Sequence, residues 1–124
     1  FIVSAGRLHV GKGYKQLIQV FASSKVMHQY HLLILGEGPE KKELELLAEE
    51  LGIGHRVHLP GFQENPYRFF AKARFFVLNS KHESFGNVLI ESMAVGTPVI
   101  SNDCDFGPRF IIRNGIGGYL YNQA

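Results

Sequence analysis

Short runs of apolar residues alternate along this chain with stretches whose apolar residues recur at the spacing of a helix. That alternation is typical of parallel βαβ units, in which a helix follows each strand and covers one face of the sheet. The runs are apolar at successive positions, which favours strands buried on both faces. Five strands and a weaker sixth are predicted at residues 2–5, 31–35, 56–59, 74–78, 98–101 and 119–121. The sequence therefore predicts an α/β fold with a doubly wound, mostly parallel sheet.

The helices between these strands are predicted from apolar stripes and from residues that start and stop helices. Two stripes at i, i+3, i+4 and i+7 are Tyr14, Leu17, Ile18 and Phe21, then Leu44, Leu47, Ala48 and Leu51. Pro39 suits the first turn of the second helix, and Gly52 is its expected C-terminal cap. A short helix is predicted at about 66–72. The last long helix, about 87–95, is apolar almost all round, so we expect it to be deeply buried.

Composition and charge exclude several classes of protein and indicate one globular domain over residues 1–124. The 13 Lys and Arg residues against 11 Asp and Glu give a net charge of +2 with scattered cations, so no nucleic-acid partner is expected. The single cysteine, Cys104, excludes an internal disulfide and a zinc site of paired cysteines. The six histidines show no metal-binding helical spacing, so no metal is expected. No apolar run approaches the roughly 18 residues of a membrane span.

The loop after the first strand combines glycines with cations. Ligands of open parallel sheets bind outside the carboxyl ends of the strands, and residues 6–13 place three glycines, Arg7 and Lys12 at such an end. Glycines let the backbone approach a ligand, and two cations before a helix N-terminus favour a phosphate or diphosphate. A glycine turn with solvated cations is the alternative. The loop is not a P-loop, because it lacks Gly-Lys-Ser/Thr at the required spacing.

The turn after the second strand argues against two other enzyme and signalling classes. It reads Gly36-Glu37-Gly38-Pro39, and Lys41 stands where a dinucleotide fingerprint has its third glycine. A hydride-transferring enzyme is therefore disfavoured. A receiver domain that is phosphorylated after its third strand is disfavoured as well, because no aspartate occurs before Asp103.

Two glutamates lie near the start of the last long helix. On a single helix, Glu83 and Glu91 would point about 80° apart, so one of them should precede the helix. With the entry at 85–87, Glu83 lies in the loop and Glu91 about one turn inside. Glu91 interrupts the most apolar helix, and a buried carboxylate needs partners, for which sugar hydroxyl groups are suitable. The alternatives are a solvated loop charge for Glu83 and a structural hydrogen bond for Glu91.

These motifs together resemble the C-terminal domain of glycosyltransferase family 4. The resemblance covers nearly the whole chain, in the order of the family. It is carried by Gly6-Arg7-Leu8 with Lys12-Gly13, by Gly36-Glu37-Gly38-Pro39, and by Glu83 and Glu91 with the following run 92–100. Asn65-Pro66-Tyr67, Asp103-Cys104 and Gly107-Pro108-Arg109 resemble the members that build bacterial surface polysaccharides. The family consists of retaining enzymes of two-domain GT-B architecture, so the resemblance implies a Rossmann-like domain.

The resemblance also implies roles for individual residues. Arg7 and Lys12 match the pair that binds the donor diphosphate and stabilises its departing charge, and Glu83 matches the carboxylate that faces the donor sugar. Glu91 matches the acceptor of the ribose hydroxyl hydrogen bonds. The remaining donor-binding positions are Gly6, Phe62, Phe85, Gly86, Asn87 and Val88. The family requires neither a metal nor a cofactor, because these cations neutralise the leaving group.

The activity that the resemblance implies is transfer of a hexose from a nucleoside diphosphate sugar to a saccharide or lipid-linked acceptor. The chain lacks an initiator methionine and a signal segment, and is interpreted as an excised piece whose N-terminal domain binds the acceptor. The isolated domain is expected to bind donor without transferring it. The expected location is the cytoplasm, with peripheral association of the whole protein at the inner face of the membrane left open. The alternatives are a nucleotide-binding regulatory module and a sugar-nucleotide epimerase of related fold.

Two positions depart from the family pattern. Phe110 stands where relatives with Gly-Pro-Arg usually have Glu, and Ser84 stands where glycine is common. The base and sugar of the donor, the acceptor and linkage, the oligomeric state and the effect of Phe110 are left open by the sequence.

Overall fold

The computed structural model describes residues 1–81, 86–103, 108–114 and 117–121. Its strands are β1 (Ile2–Ala5), β2 (Leu32–Leu35), β3 (Val57–Gly61), β4 (Phe75–Leu78), β5 (Val99–Asn102), β6 (Arg113–Asn114) and β7 (Gly117–Tyr121). Its helices are α1 (Tyr14–Ser23), α2 (Lys41–Glu50), α3 (Tyr67–Lys72), α4 (Asn87–Ala94) and α5 (Pro108–Ile111). Short 3₁₀ turns precede α1 and β2, at Val10–Lys12 and Val26–Gln29.

The strands form one sheet in the order β3-β2-β1-β4-β5-β7-β6, and every described pair is parallel. The chain builds outward from β1 to β3, then returns to the other side of β1 with β4. The strand order therefore reverses between β1 and β4, and in open α/β sheets ligands bind outside the carboxyl ends of the strands at such a point. The predicted doubly wound, mostly parallel fold is confirmed.

Helices cover the two faces of the sheet with separate apolar cores. Ile2 and Ile34 pack with α1 and α2 side chains such as Phe21 and Leu44. Their sequence neighbours Val3 and Leu35 belong instead to the cluster with Phe70 of α3 and Leu89 of α4. Successive strand residues thus enter opposite cores, which explains the uninterrupted apolar runs in the sequence.

The deep burial predicted for the last long helix is wrong. On α4, Leu89 and Ser92 are buried, but Ile90 is 43% exposed and Val95, just past its end, is also exposed. A helix in the outer layer turns one stripe toward the sheet, and apolar composition alone does not bring a second layer over its other side. Leu51 was predicted as the last residue of the apolar stripe on α2. It instead follows the end of the helix and is 41% exposed.

Two strand-to-helix loops meet at glycines beside the switch point. Gly36 follows β2 with a φ of +137°, and a Cβ on it would lie 2.0 Å from the backbone oxygen of Gly6. A Cβ on Gly38 would lie 2.5 Å from the backbone oxygen of Leu8. The absence of a side chain at Gly36 and Gly38 therefore lets one loop pack against the backbone of the other, a contact between loops that the sequence did not predict.

Replacing Gly36 by alanine should destabilise the chain, because the added methyl group must displace the Gly6 carbonyl. Gly52→Ala is the matched control: its φ is also positive (+76°), but a Cβ there meets nothing within 4 Å. We expect the control to cost about 1–2 kcal/mol of unfolding free energy from left-handed strain alone, and Gly36→Ala to cost about 1–3 kcal/mol more from overpacking. Equal losses in urea unfolding would contradict the close approach of the two loops.

His31 and His58 form a stacked pair at the amino ends of β2 and β3. Their rings lie 15° from parallel with centroids 5.1 Å apart, and His31 Nδ1 is 2.8 Å from His58 Nε2. Partial burial, and secondly the charge of His31, lower the pKa of His58. The pair lies at the opposite end of the strands from the switch-point loops, so it contributes to stability rather than to a site at that edge.

The lowered pKa of His58 predicts a loss of stability in acid. The unfolded chain takes up this proton more readily, so stability present above the ordinary histidine pKa of about 6.5 is lost as the pH falls below it. Melting temperatures should therefore fall from about pH 7 to about pH 5, and fall less in His58→Gln. His55→Gln, at an exposed position, is the control. If the melting temperature of the His58 variant fell as much in acid as that of the unmodified chain, the histidine pair would not be the cause of the lost stability.

Candidate functional site

A cleft of about 390 Å³ opens at the carboxyl ends of β1, β2 and β3. The residues that line it are Ala5, Gly6, Arg7, Leu35, Gly36, Glu37, Phe62, Gln63 and Pro66. Three of the residues predicted to bind a donor, Gly6, Arg7 and Phe62, thus share one cleft. The Phe62 side chain is 72% exposed at this rim, where its ring is available to a ligand.

The loop after β1 is held in place by the loop after β2. Gly6 N–H donates to the Leu35 carbonyl at 3.0 Å, and Leu8 N–H donates to the Glu37 carbonyl at 2.9 Å. The Leu8 side chain is fully buried in the core under α1 and α2. Because Leu8 anchors the loop, its neighbour Arg7 is fixed at the backbone while its side chain stays exposed in the cleft.

Lys12 lies on the short 3₁₀ turn that links this loop to α1. The His9 side chain caps the turn, where Nδ1 accepts from Gly11 N–H at 3.2 Å. Lys12 is half-buried, and its Cε is 3.6 Å from the position that a Cβ on Gly6 would take. The lysine stem therefore runs beside the first glycine of the loop, which brings Lys12 toward the same end of the sheet as Arg7.

Lys15, in the first turn of α1, forms ion pairs with residues at the start of α2. Lys15 Nζ lies 2.9 Å from Glu43 and 3.8 Å from Glu40. The hydrogen bond and charge of Glu43 raise the pKa of Lys15, although an exposed pair of this kind stabilises little. Lys15 is thus engaged with the start of α2, whereas Arg7 is exposed in the cleft.

The start of α4 contributes a helix N-terminus to the same edge. Gly86 is buried with a φ of +87°, and the helix begins at Asn87 and Val88 directly after it. Glu91 lies one turn inside, as predicted, but it is half-buried rather than buried. The predicted site residues Glu83 and Phe85 lie outside the described residues.

A polar cluster at the end of β4 was not predicted. Asn79 and Ser80 are both buried there. Asn79 Nδ2 donates to the Gly13 carbonyl at 2.8 Å, and Asn102 Nδ2 donates to the Ser80 carbonyl at 2.9 Å. The available signal was an Asn-Ser pair directly after an apolar strand run, at the edge where function was expected.

The described residues contain neither a metal-binding cluster nor a membrane-spanning helix. In the ranges that the structure describes, no three His, Cys, Asp or Glu side chains come together as a metal site would require. None of the helices in those ranges is both long enough and apolar enough to cross a bilayer.

Comparison with known proteins identifies the family. The family described as "Glycosyl transferases group 1" matches residues 1–124. The chain is 45% identical over 120 residues to the Campylobacter jejuni N-acetylgalactosamine-N,N'-diacetylbacillosaminyl-diphospho-undecaprenol 4-alpha-N-acetylgalactosaminyltransferase, covering 97% of the chain and 32% of that relative.

Two solved structures have the same fold. One is the apo form of the lipopolysaccharide outer core galactosyltransferase WaaB (TM-score 0.89, 32% identity, covering 98% of the chain and 35% of that structure). The other is Anabaena Alr3699/HepE in complex with UDP (TM-score 0.89, 27% identity, covering 100% and 35%). The chain thus spans about a third of the length of these proteins. It belongs to the group 1 glycosyltransferases, and its sheet is the Rossmann-like fold of GT-B enzymes.

Proposed function

We propose that the chain is the donor-binding domain of a retaining, family 4 glycosyltransferase that acts in the synthesis of surface polysaccharide. The observation that carries this proposal is that Arg7, Lys12 and the α4 N-terminus all lie at the carboxyl edge of the sheet, where Arg7 lines a cleft of about 390 Å³. The donor is a nucleoside diphosphate hexose, in keeping with the UDP bound to the HepE relative. The acceptor is a saccharide or a lipid-linked glycan, in keeping with the undecaprenol named for the Campylobacter relative.

The cations account for the chemistry at the diphosphate. When the bond between the sugar and the β-phosphate breaks, negative charge grows on the departing diphosphate. Arg7 and Lys12, fixed near Gly6, stabilise that charge more in the transition state than in the bound donor. The half-buried position of Glu91 on α4 suits an acceptor of the ribose hydroxyls. We assign Glu83 to the face of the donor sugar, as the family resemblance implies.

The proposal extends to the rest of the enzyme. The chain spans about a third of the relatives' length, so we assign the acceptor site to an N-terminal domain and expect this domain alone to bind donor without transferring it. We place the enzyme in the cytoplasm. The regulatory and epimerase alternatives are not favoured, since the relatives described above include two transferases by name.

Nucleotide titrations test the donor site. UDP and GDP should raise the melting temperature of the domain, and calorimetry should show that Lys12→Ala weakens binding of the favoured nucleotide by about 1–3 kcal/mol while hardly affecting its nucleoside. Lys42→Ala is the control, because it removes the same positive charge from an exposed position on α2. Equal loss for nucleotide and nucleoside, or no binding of either diphosphate by the unmodified domain, would overturn the proposed site.

The two glutamates should separate in steady-state kinetics of the whole enzyme. Glu91→Gln should mainly raise KM for the donor, because ribose hydroxyls are held equally in the ground and transition states. Glu83→Gln should mainly lower kcat by roughly 100-fold or more, because the negative charge of Glu83 stabilises the positive charge that develops on the sugar in the transition state. Melting temperatures check that both variants fold. The reverse pattern, with kcat lost in the Glu91 variant and only KM changed in the Glu83 variant, would refute these roles.

A further inference from the structure

The turn that carries Lys12 has little packing of its own. It comprises the three residues Val10–Lys12, none of them buried, and ends at Gly13, whose N–H reaches the Val10 carbonyl at a long 3.3 Å. A 3₁₀ turn this short is weak without outside contacts. The position of the Lys12 backbone therefore depends on the His9 cap and on the contacts that Gly11 and Gly13 make outside the turn.

The middle of the turn, at Gly11, and the residue that follows it, Gly13, are both hydrogen-bonded to residues that follow β4. The Asn79 side chain donates to the Gly13 carbonyl at 2.8 Å, and Lys81 N–H donates to the Gly11 carbonyl at 2.9 Å. Gly13 fits so closely that a Cβ on it would lie 2.2 Å from the Asn79 backbone oxygen. The Asn79 amide thus sits against the residue that ends the turn and begins α1.

Tyr121 fixes the orientation of that amide. The Tyr121 hydroxyl, on β7, is 2.5 Å from Asn79 Oδ1. The Asn79 oxygen can only accept a hydrogen bond, so with the hydroxyl donating to it the amide nitrogen faces Gly13. Strands β4 and β7 are separated by β5, so Tyr121 reaches across one strand to set this contact.

We propose that Asn79 and Tyr121 are positioning residues for the donor diphosphate, holding the Lys12 turn in the geometry that binds it. This inference rests on the proposed function and adds Asn79 and Tyr121 to the site as residues that act through the backbone of the turn. The hydrogen bonds run from the Tyr121 hydroxyl to Asn79, and from Asn79 to Gly13, one residue after Lys12. Removing either bond should loosen the turn and weaken binding of phosphate groups, while nucleoside binding stays the same.

Conservative substitutions test this hydrogen-bond relay, which runs from Tyr121 through Asn79 to Gly13. Tyr121→Phe removes only the hydroxyl and should raise Kd for UDP about 2- to 10-fold, with Kd for uridine unchanged. Asn79→Asp replaces the donor to Gly13 with an acceptor and should raise Kd for UDP further. Tyr119→Phe is the matched control, since Tyr119 lies on the same strand but is 59% exposed, and it should leave both constants unchanged.

Amide hydrogen exchange of the ligand-free domain gives a second, independent readout. Exchange at Gly11, Lys12 and Gly13 should speed up in Tyr121→Phe but not in Tyr119→Phe. Unchanged exchange, or equal weakening of UDP and uridine, would overturn the positioning role even if Asn79→Asp fails to fold. If the unmodified domain binds neither UDP nor GDP, the proposed function fails, and the exchange measurement still decides whether the relay holds the turn.

Discussion

The contact between Gly6 and Gly36 sets the geometry on which the rest of the site depends. A Cβ at Gly36 would lie 2.0 Å from the Gly6 oxygen, so the two loops touch through backbone atoms. That contact brings the end of β2 against the start of the loop of residues 6–13, which carries Arg7 and Lys12 and is called the cation loop below. The hydrogen bond from Leu8 N–H to the Glu37 carbonyl then continues the contact, and Arg7 is fixed between the two points. The cleft at this edge follows from a close approach that only glycine permits.

The cation loop is held differently on its two sides. Toward β2, it meets backbone atoms of Gly36 and Gly38. Toward β4, it meets the Asn79 side chain, which Tyr121 orients from two strands away. The first side is insensitive to side-chain chemistry as long as the glycines remain, whereas the second depends on one amide and one hydroxyl. The loop that carries Arg7 and Lys12 is therefore held by backbone contacts on one side and by side-chain hydrogen bonds on the other.

The sequence predicted what local patterns determine. Apolar runs located β1 and β4 within a residue, and the stripe through Ile18 and Phe21 located α1. The exposure of α4 was missed because composition does not show which neighbours cover a helix. The hydrogen bonds of Asn79 and the histidine pair depend on strand order and register, which a local sequence pattern does not contain. Strand β6 has only two residues, too few to form a recognisable strand pattern. The roles of Glu83 and Phe85 stay predictions, since both lie outside the described residues.

The backbone nature of the Gly6–Gly36 contact also bears on how such a domain diversifies. Phe62 and Gln63 line the cleft, whereas the loops after β1 and β2 are joined by backbone hydrogen bonds from Gly6 N–H and Leu8 N–H. Changes at this rim alter what the cleft meets without disturbing the scaffold that presents the cations. A combinatorial library confined to positions 62 and 63 would therefore change the ligand preference of the cleft at little cost in foldability, which makes this rim the natural place to begin directed evolution.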